Sequence, residues 1–199
     1  MSDIKKLEII GTIKDGITIG TKNIGPILVN LILWILTCWI PYLNVGTTIG
    51  LVIGIVKKAS KDEPIPMTEI FNPIYRKYMG EFFLVCGLVG IGVGIATVFM
   101  IIPGIVIGIA WCFATLITID KNKNPTEALY LSNKATYGNK WRIFGIYFLV
   151  ILAFGILIAV LSFIPVVGII LGIAVMLFMN FVIIGIMASM YRQLTGDIA

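Results

Sequence analysis

Three stretches of this chain contain no Asp, Glu, Lys or Arg: the residues between Lys22 and Lys57, between Glu81 and Asp120, and between Arg142 and Arg192. A helix in the core of a water-soluble protein keeps a polar side for solvent, and these blocks have none. Charge-free apolar runs of this length are what a lipid bilayer selects. The wider composition agrees, since 13% of the 199 residues are charged, against about 25% in an ordinary soluble domain. The expectation is an integral membrane protein.

Within the blocks one pattern recurs. An apolar run reaches an Ile-Pro pair, at Ile40-Pro41, Ile102-Pro103 and Ile164-Pro165, and leaves through glycines spaced by four. The glycines are Gly46, Gly50 and Gly54 after the first proline, Gly104 and Gly108 after the second, and Gly168 and Gly172 after the third. Such small-xxx-small faces let helices approach closely in lipid. Pro41, Pro103 and Pro165 are therefore read as hairpin turns, and the seven glycines as helix-packing positions. The fold expected is an all-α, polytopic membrane helix bundle of three helical hairpins, giving six spans. It forms a single domain over 1–199, with repeat units at about 1–58, 62–119 and 124–192.

Each hairpin is expected to follow an interfacial amphipathic helix. In residues 3 to about 20, Ile9, Ile10, Ile13 and Ile17 fall on one face, with Gly11, Gly16 and Gly20 weakening the helix. In residues 61–80, Asn72-Pro73 reads as a helix start and Ile70, Phe71, Ile74 and Tyr78 as an apolar stripe. Asn124-Pro125-Thr126-Glu127 supplies an N-cap, a proline at N1 and a glutamate at N3, opening a helix that stops near Gly138. The first hairpin is short. Arms of some 15 to 17 residues reach about 24 Å against a hydrocarbon core of about 30 Å, so either the bilayer thins around it or it does not fully cross.

If every hairpin crosses and returns, all charged segments fall on one side. The positive-inside rule then places both termini in the cytoplasm. No signal-peptide pattern precedes the first apolar block, which is expected to stay as an anchor. Cys38, Cys86 and Cys112 lie inside the apolar blocks without metal-ligand spacing and read as small buried hydrophobes.

Glu127-Ala128-Leu129, Ser132, Gly138, Trp141 and Phe144, opening the last hydrophobic hairpin, form a pattern with a resemblance. The chain resembles a broad group of uncharacterised prokaryotic multi-pass membrane proteins related to the membrane domain of some glycerophosphoryl diester phosphodiesterases. The resemblance implies a domain in the prokaryotic cytoplasmic (inner) membrane. The soluble phosphodiesterase domain that would perform hydrolysis has no counterpart here.

Function follows by elimination. The chain has no histidine, and its polar groups at depth are Asn30, Thr97, Thr115, Thr118, Ser162 and Asn180, too few for acid–base or nucleophilic chemistry. Neither enzyme activity nor a cofactor is expected, and no catalytic or metal-binding residue is assigned. Ion-coupled transport normally marks its path with intramembrane ionisable groups. A small transporter, channel or lipid path for a neutral or apolar solute remains as the alternative, with Asn30 and Asn180 as the intramembrane polar residues to suspect. The leading expectation is a non-enzymatic membrane accessory, assembly or membrane-shaping module. Its partners are the lipid bilayer and either a second copy or another membrane protein, with nothing pointing to nucleic acid.

Overall fold

The computed structural model describes residues 6–164 and 166–196, and every regular element among them is helical. In chain order these are α1 (Ile9–Lys22), α2 (Ile24–Thr37) and α3 (Pro41–Ile49), which runs through a π-helical stretch (Gly50–Gly54) into α4 (Ile55–Ser60). A 3-10 turn (Glu69–Phe71) and the short α5 (Ile74–Lys77) lead into α6 (Met79–Phe99). There follow α7 (Ile101–Ala110), α8 (Ala114–Asp120), α9 (Pro125–Thr136), α10 (Lys140–Leu161) and α11 (Val167–Thr195).

Among the described residues, four segments are long and apolar enough to cross a membrane: α6, α7 together with α8 (Ile101–Asp120), α10 and α11. A fifth is obtained if α1 and α2, which meet at a 69° bend, are taken as one broken span. Among the described residues no sixth such segment is found. By itself α2 has 14 residues, or about 21 Å of helix.

Two of the expected turn prolines are seen at helix starts. Pro41 is the first residue of α3, after an extended Ile40. The second turn falls at Met100, which is extended (φ −162°, ψ 144°), and Pro103 sits inside the first turn of α7. That shift has a simple cause: the first turn of a helix has no use for the N–H that proline lacks. Pro165 lies outside the described residues.

The hydrophobic core lies where the charged connections gather. It is built from α1, α4, α8, α9, the first half of α10 (Ile143, Ile146, Val150) and the last part of α11 (Phe181, Val182, Ile186, Met190). The far ends of the hairpins are open, with Trp39, Val98, Phe99 and Phe163 each at least 80% exposed. Cys86 is also exposed, against the expectation of burial, in a part of α6 that carries the exposed Phe83 and Leu84 as well.

The expected interfacial helices instead pack into the bundle. Among the described residues the most extensive helix pairing is α1 with α11. The buried face of α1 is Thr12, Gly16, Ile19 and Gly20, while Ile10 and Ile17 are left exposed. A Cβ at Gly16 would overlap the backbone of Ile186, one at Gly20 the carbonyl of Phe181, and one at Gly185 the carbonyl of Gly16. The glycines of α1 therefore act as a contact surface rather than as weak points.

The 61–80 connection is likewise not a surface helix. It folds back over the α2–α3 hairpin and buries Ile70 and Tyr75. Helix α9 starts as expected, with Asn124 Oδ1 accepting from the Glu127 amide at 2.9 Å. It buries Ala128, Leu131, Ser132, Ala135 and Thr136 against the bundle, with α8 as its main neighbour.

Candidate functional site

Four carboxylates, of which Asp120 and Glu69 have buried side chains, organise the charged end. Asp120, its side chain 5% exposed, takes Lys57 at 3.3 Å and Lys61 on one oxygen and the Tyr191 hydroxyl at 3.0 Å on the other. This joins the ends of α4, α8 and α11. Asp15 of α1 accepts from Arg192 at 2.7 Å and from Ser189 at 2.6 Å. Arg192 also reaches Asp62 at 2.9 Å, and Lys22 stands 3.8 Å from the same carboxylate. Glu69, its side chain 2% exposed, takes Lys58 at 3.4 Å and the hydroxyl of Tyr75. Burial, reinforced by the hydrogen bond to Glu69 and its charge, pushes the Tyr75 phenol above its ordinary range. Every buried side-chain nitrogen or oxygen among the described residues has a partner. The result is a closed ionic clasp, with its acids already neutralised by neighbouring cations.

A second constellation holds the 66–76 strap on the first hairpin. Asn30, in the middle of α2 and fully buried, donates to the Pro66 carbonyl at 2.8 Å and accepts from the Ile70 amide at 3.1 Å. The face carrying Gly46, Gly50 and Gly54 is covered by the same strap rather than by a long helix. A Cβ at Gly50 would stand 2.7 Å from the Ile70 Cα, one at Gly54 would overlap the Tyr75 hydroxyl, and one at Gly46 would press on the Arg76 side chain at 3.2 Å. Helix α3 widens into its π-helical stretch where Ile70 and Tyr75 press against it. Arg76 continues to the hairpin turn, its guanidinium 5.8 Å from the ring centroid of Tyr42.

The other expected positions are dispersed. Gly104 meets Thr97 and closes the α6–α7 hairpin, while Gly108 only reaches Val93 at 3.9 Å. Gly168 meets Leu161 and Ile164 across the last hairpin, and a Cβ at Gly172 would meet open space. Asn180 is exposed and returns its amide to the Met176 carbonyl of its own helix at 2.8 Å. It lines a groove of about 300 Å³ with Ile27, Leu51, Tyr147, Phe181 and Met187. Thr97, Thr118 and Ser162 also spend their hydroxyls on carbonyls of their own helices.

One site escaped the sequence reading. Helices α7 and α8 are separated by a break at Trp111–Phe113, and the fully buried Ser132 of α9 bridges it. Its hydroxyl donates to the Ala110 carbonyl at 2.8 Å and accepts from the Phe113 amide at 3.1 Å. The break would otherwise leave backbone groups unpaired in an apolar setting. The visible signal was Ser132 among the apolar positions Ala128, Leu131 and Ala135 of one helix face.

Comparison with protein-family models, with characterised proteins and with solved structures finds no match to this chain.

Proposed function

We propose that this chain is a non-enzymatic integral membrane module of a prokaryotic cytoplasmic membrane. Both termini lie in the cytoplasm, and the module serves membrane shaping or the assembly of other membrane proteins. In this reading α6, the α7–α8 pair, α10 and α11 cross the bilayer, and the α2–α3 hairpin enters from the cytoplasmic side without crossing.

The observation that carries the reading is the contact between Arg76 and Tyr42. Arg76 belongs to the charged connection that precedes α6, and Tyr42 to the turn of the first hairpin. A guanidinium in the hydrocarbon core is costly, so the turn beside it belongs near the same interface. A hairpin confined to one leaflet displaces lipid on that side only. The ionic clasp supports the non-enzymatic part of the reading, since Asp15, Asp62, Glu69 and Asp120 are each engaged by cations.

The test is sided labelling with a membrane-impermeant thiol reagent in a background lacking Cys38, Cys86 and Cys112. Phe163→Cys should label from outside intact cells, and Trp39→Cys only once the cytoplasmic face is opened. Outside labelling of Trp39→Cys sinks the shallow hairpin. Purified protein added to vesicles should then tubulate them without releasing a trapped neutral solute.

A second reading, a path for a neutral or apolar solute, draws on Asn180 and its groove. It predicts solute flux that Asn180→Leu abolishes.

A further inference from the structure

Where α7 passes the start of α10, the surface carries a groove of about 360 Å³, at the lower end of the roughly 300–1,000 Å³ usual for small-molecule sites. One wall is the face of α7 formed by Ile102, Ile105, Val106 and Ile109 at helical spacing, and Phe144 of α10 stands in the other. The rim is different in kind. Tyr137 and Trp141, 65% and 76% exposed, stand there with Lys140. Aromatic rings with a polar edge, next to lysine, are the residue types that settle at the headgroup level. The rim is shaped by the turn between α9 and α10, where Gly138 has a φ of 78°. A side chain there would be strained.

Lys140 is the one charged residue lining the groove among the described residues. Its ammonium bonds the neutral Asn133 Oδ1 at 3.0 Å, and none of the described salt bridges involves it. It also lies in the most basic stretch of the sequence, residues 120–142, which holds Lys121, Lys123, Lys134, Lys140 and Arg142 but, of acids, Asp120 and Glu127. An apolar trough ending in two amphipathic aromatics and an uncompensated cation matches one ligand chemistry, an acyl chain continuous with an anionic headgroup.

We infer that this groove is a binding site for an anionic phospholipid, with an acyl chain along Ile102–Ile109 and the phosphate at Lys140. The inference rests on α7 and α10 meeting lipid, and not on the membrane-shaping role.

The full chain is purified in detergent and offered phosphatidylglycerol and phosphatidylcholine at equal concentration, and the retained lipid is counted by native mass spectrometry. One lysine near an anionic surface corresponds to about a five-fold preference, so the one-lipid species should favour phosphatidylglycerol by that order. Lys140→Gln should remove the preference. Ile105→Trp, which fills the trough at a 40% exposed position, should remove the one-lipid species for both lipids. Equal retention by the wild type means an ordinary lipid annulus and overturns the site. So does a preference that survives both substitutions, or a chain that shields this groove by pairing with a second copy.

Discussion

Arg76 lies over the ring of Tyr42, 5.8 Å from its centroid, and so ties the end of the 66–76 strap to the turn of the first hairpin. An exposed cation–π contact is worth about 0.5–1 kcal/mol. Arg76→Ala should loosen the hairpin turn without unfolding the bundle. Hydrogen exchange should rise over residues 38–46 and stay unchanged in α10. Equal exchange in the two proteins would mean that the strap is held elsewhere.

The two asparagines should respond differently. Asn30→Leu leaves the Pro66 carbonyl and the Ile70 amide without their partner, at a cost of about 1–3 kcal/mol for each buried group left unpaired. Asn180→Leu removes only a bond to its own helix and should change stability by less than about 0.5 kcal/mol. Denaturant titration of the purified protein in mixed micelles reads both.

Ser132→Ala should cost about 1–3 kcal/mol, because the buried Phe113 amide loses its acceptor. Ser162→Ala, which removes a hydroxyl bonded to Ala159 of the same helix, is the control and should be near neutral. If the two variants melt alike, Ser132 does not support the α7–α8 break.

Glycines that look alike in the sequence should separate by position. Gly185→Ala pushes a methyl into the Gly16 carbonyl, and overpacking of that kind costs about 1–3 kcal/mol. Gly172→Ala meets nothing and should stabilise α11 by up to about 1 kcal/mol through helix propensity. Thermal unfolding of the two variants in the same detergent decides it.

Tyr75 gives a pH prediction. Its folded-state phenol titrates above the ordinary value, so the folded chain keeps a proton that the unfolded chain gives up near pH 10. The sign follows from linkage: stability falls as pH rises above about 10. Tyr75→Phe should flatten that alkaline slope in denaturant titrations taken at increasing pH.

The sequence was informative wherever local chemistry decides the outcome. Asn124 and Glu127 specify the start of α9 through a side-chain cap, and Pro41 specifies the start of α3. The apolar blocks after Glu81 contain the long helices, because a backbone among apolar side chains satisfies its hydrogen bonds within its own helix. Partner choice was harder to read. The isoleucines of α1 suggested a bilayer surface, yet the helix seats Thr12, Gly16 and Gly20 on α11, where close backbone approach outweighs side-chain apolarity. The Gly46–Gly54 face is genuinely small, but periodicity does not say whether a helix or a strap fills it. Ser132 and Glu69 are residue types common on surfaces. Only the tertiary fold makes them buried bridges.

The pairing of α1 with α11 also fixes an order of events during synthesis. Of the two, α1 is synthesised before α11, so it waits for its main partner while the intervening helices are made. An α1 carrying Ile9, Ile10, Ile13 and Ile17 can wait on the headgroup surface, where its apolar stripe is sheltered. In the folded chain its neighbours are Gly185 and Ser189 of α11. The small residues of α1 thus mark its seat on α11, which its isoleucines alone do not.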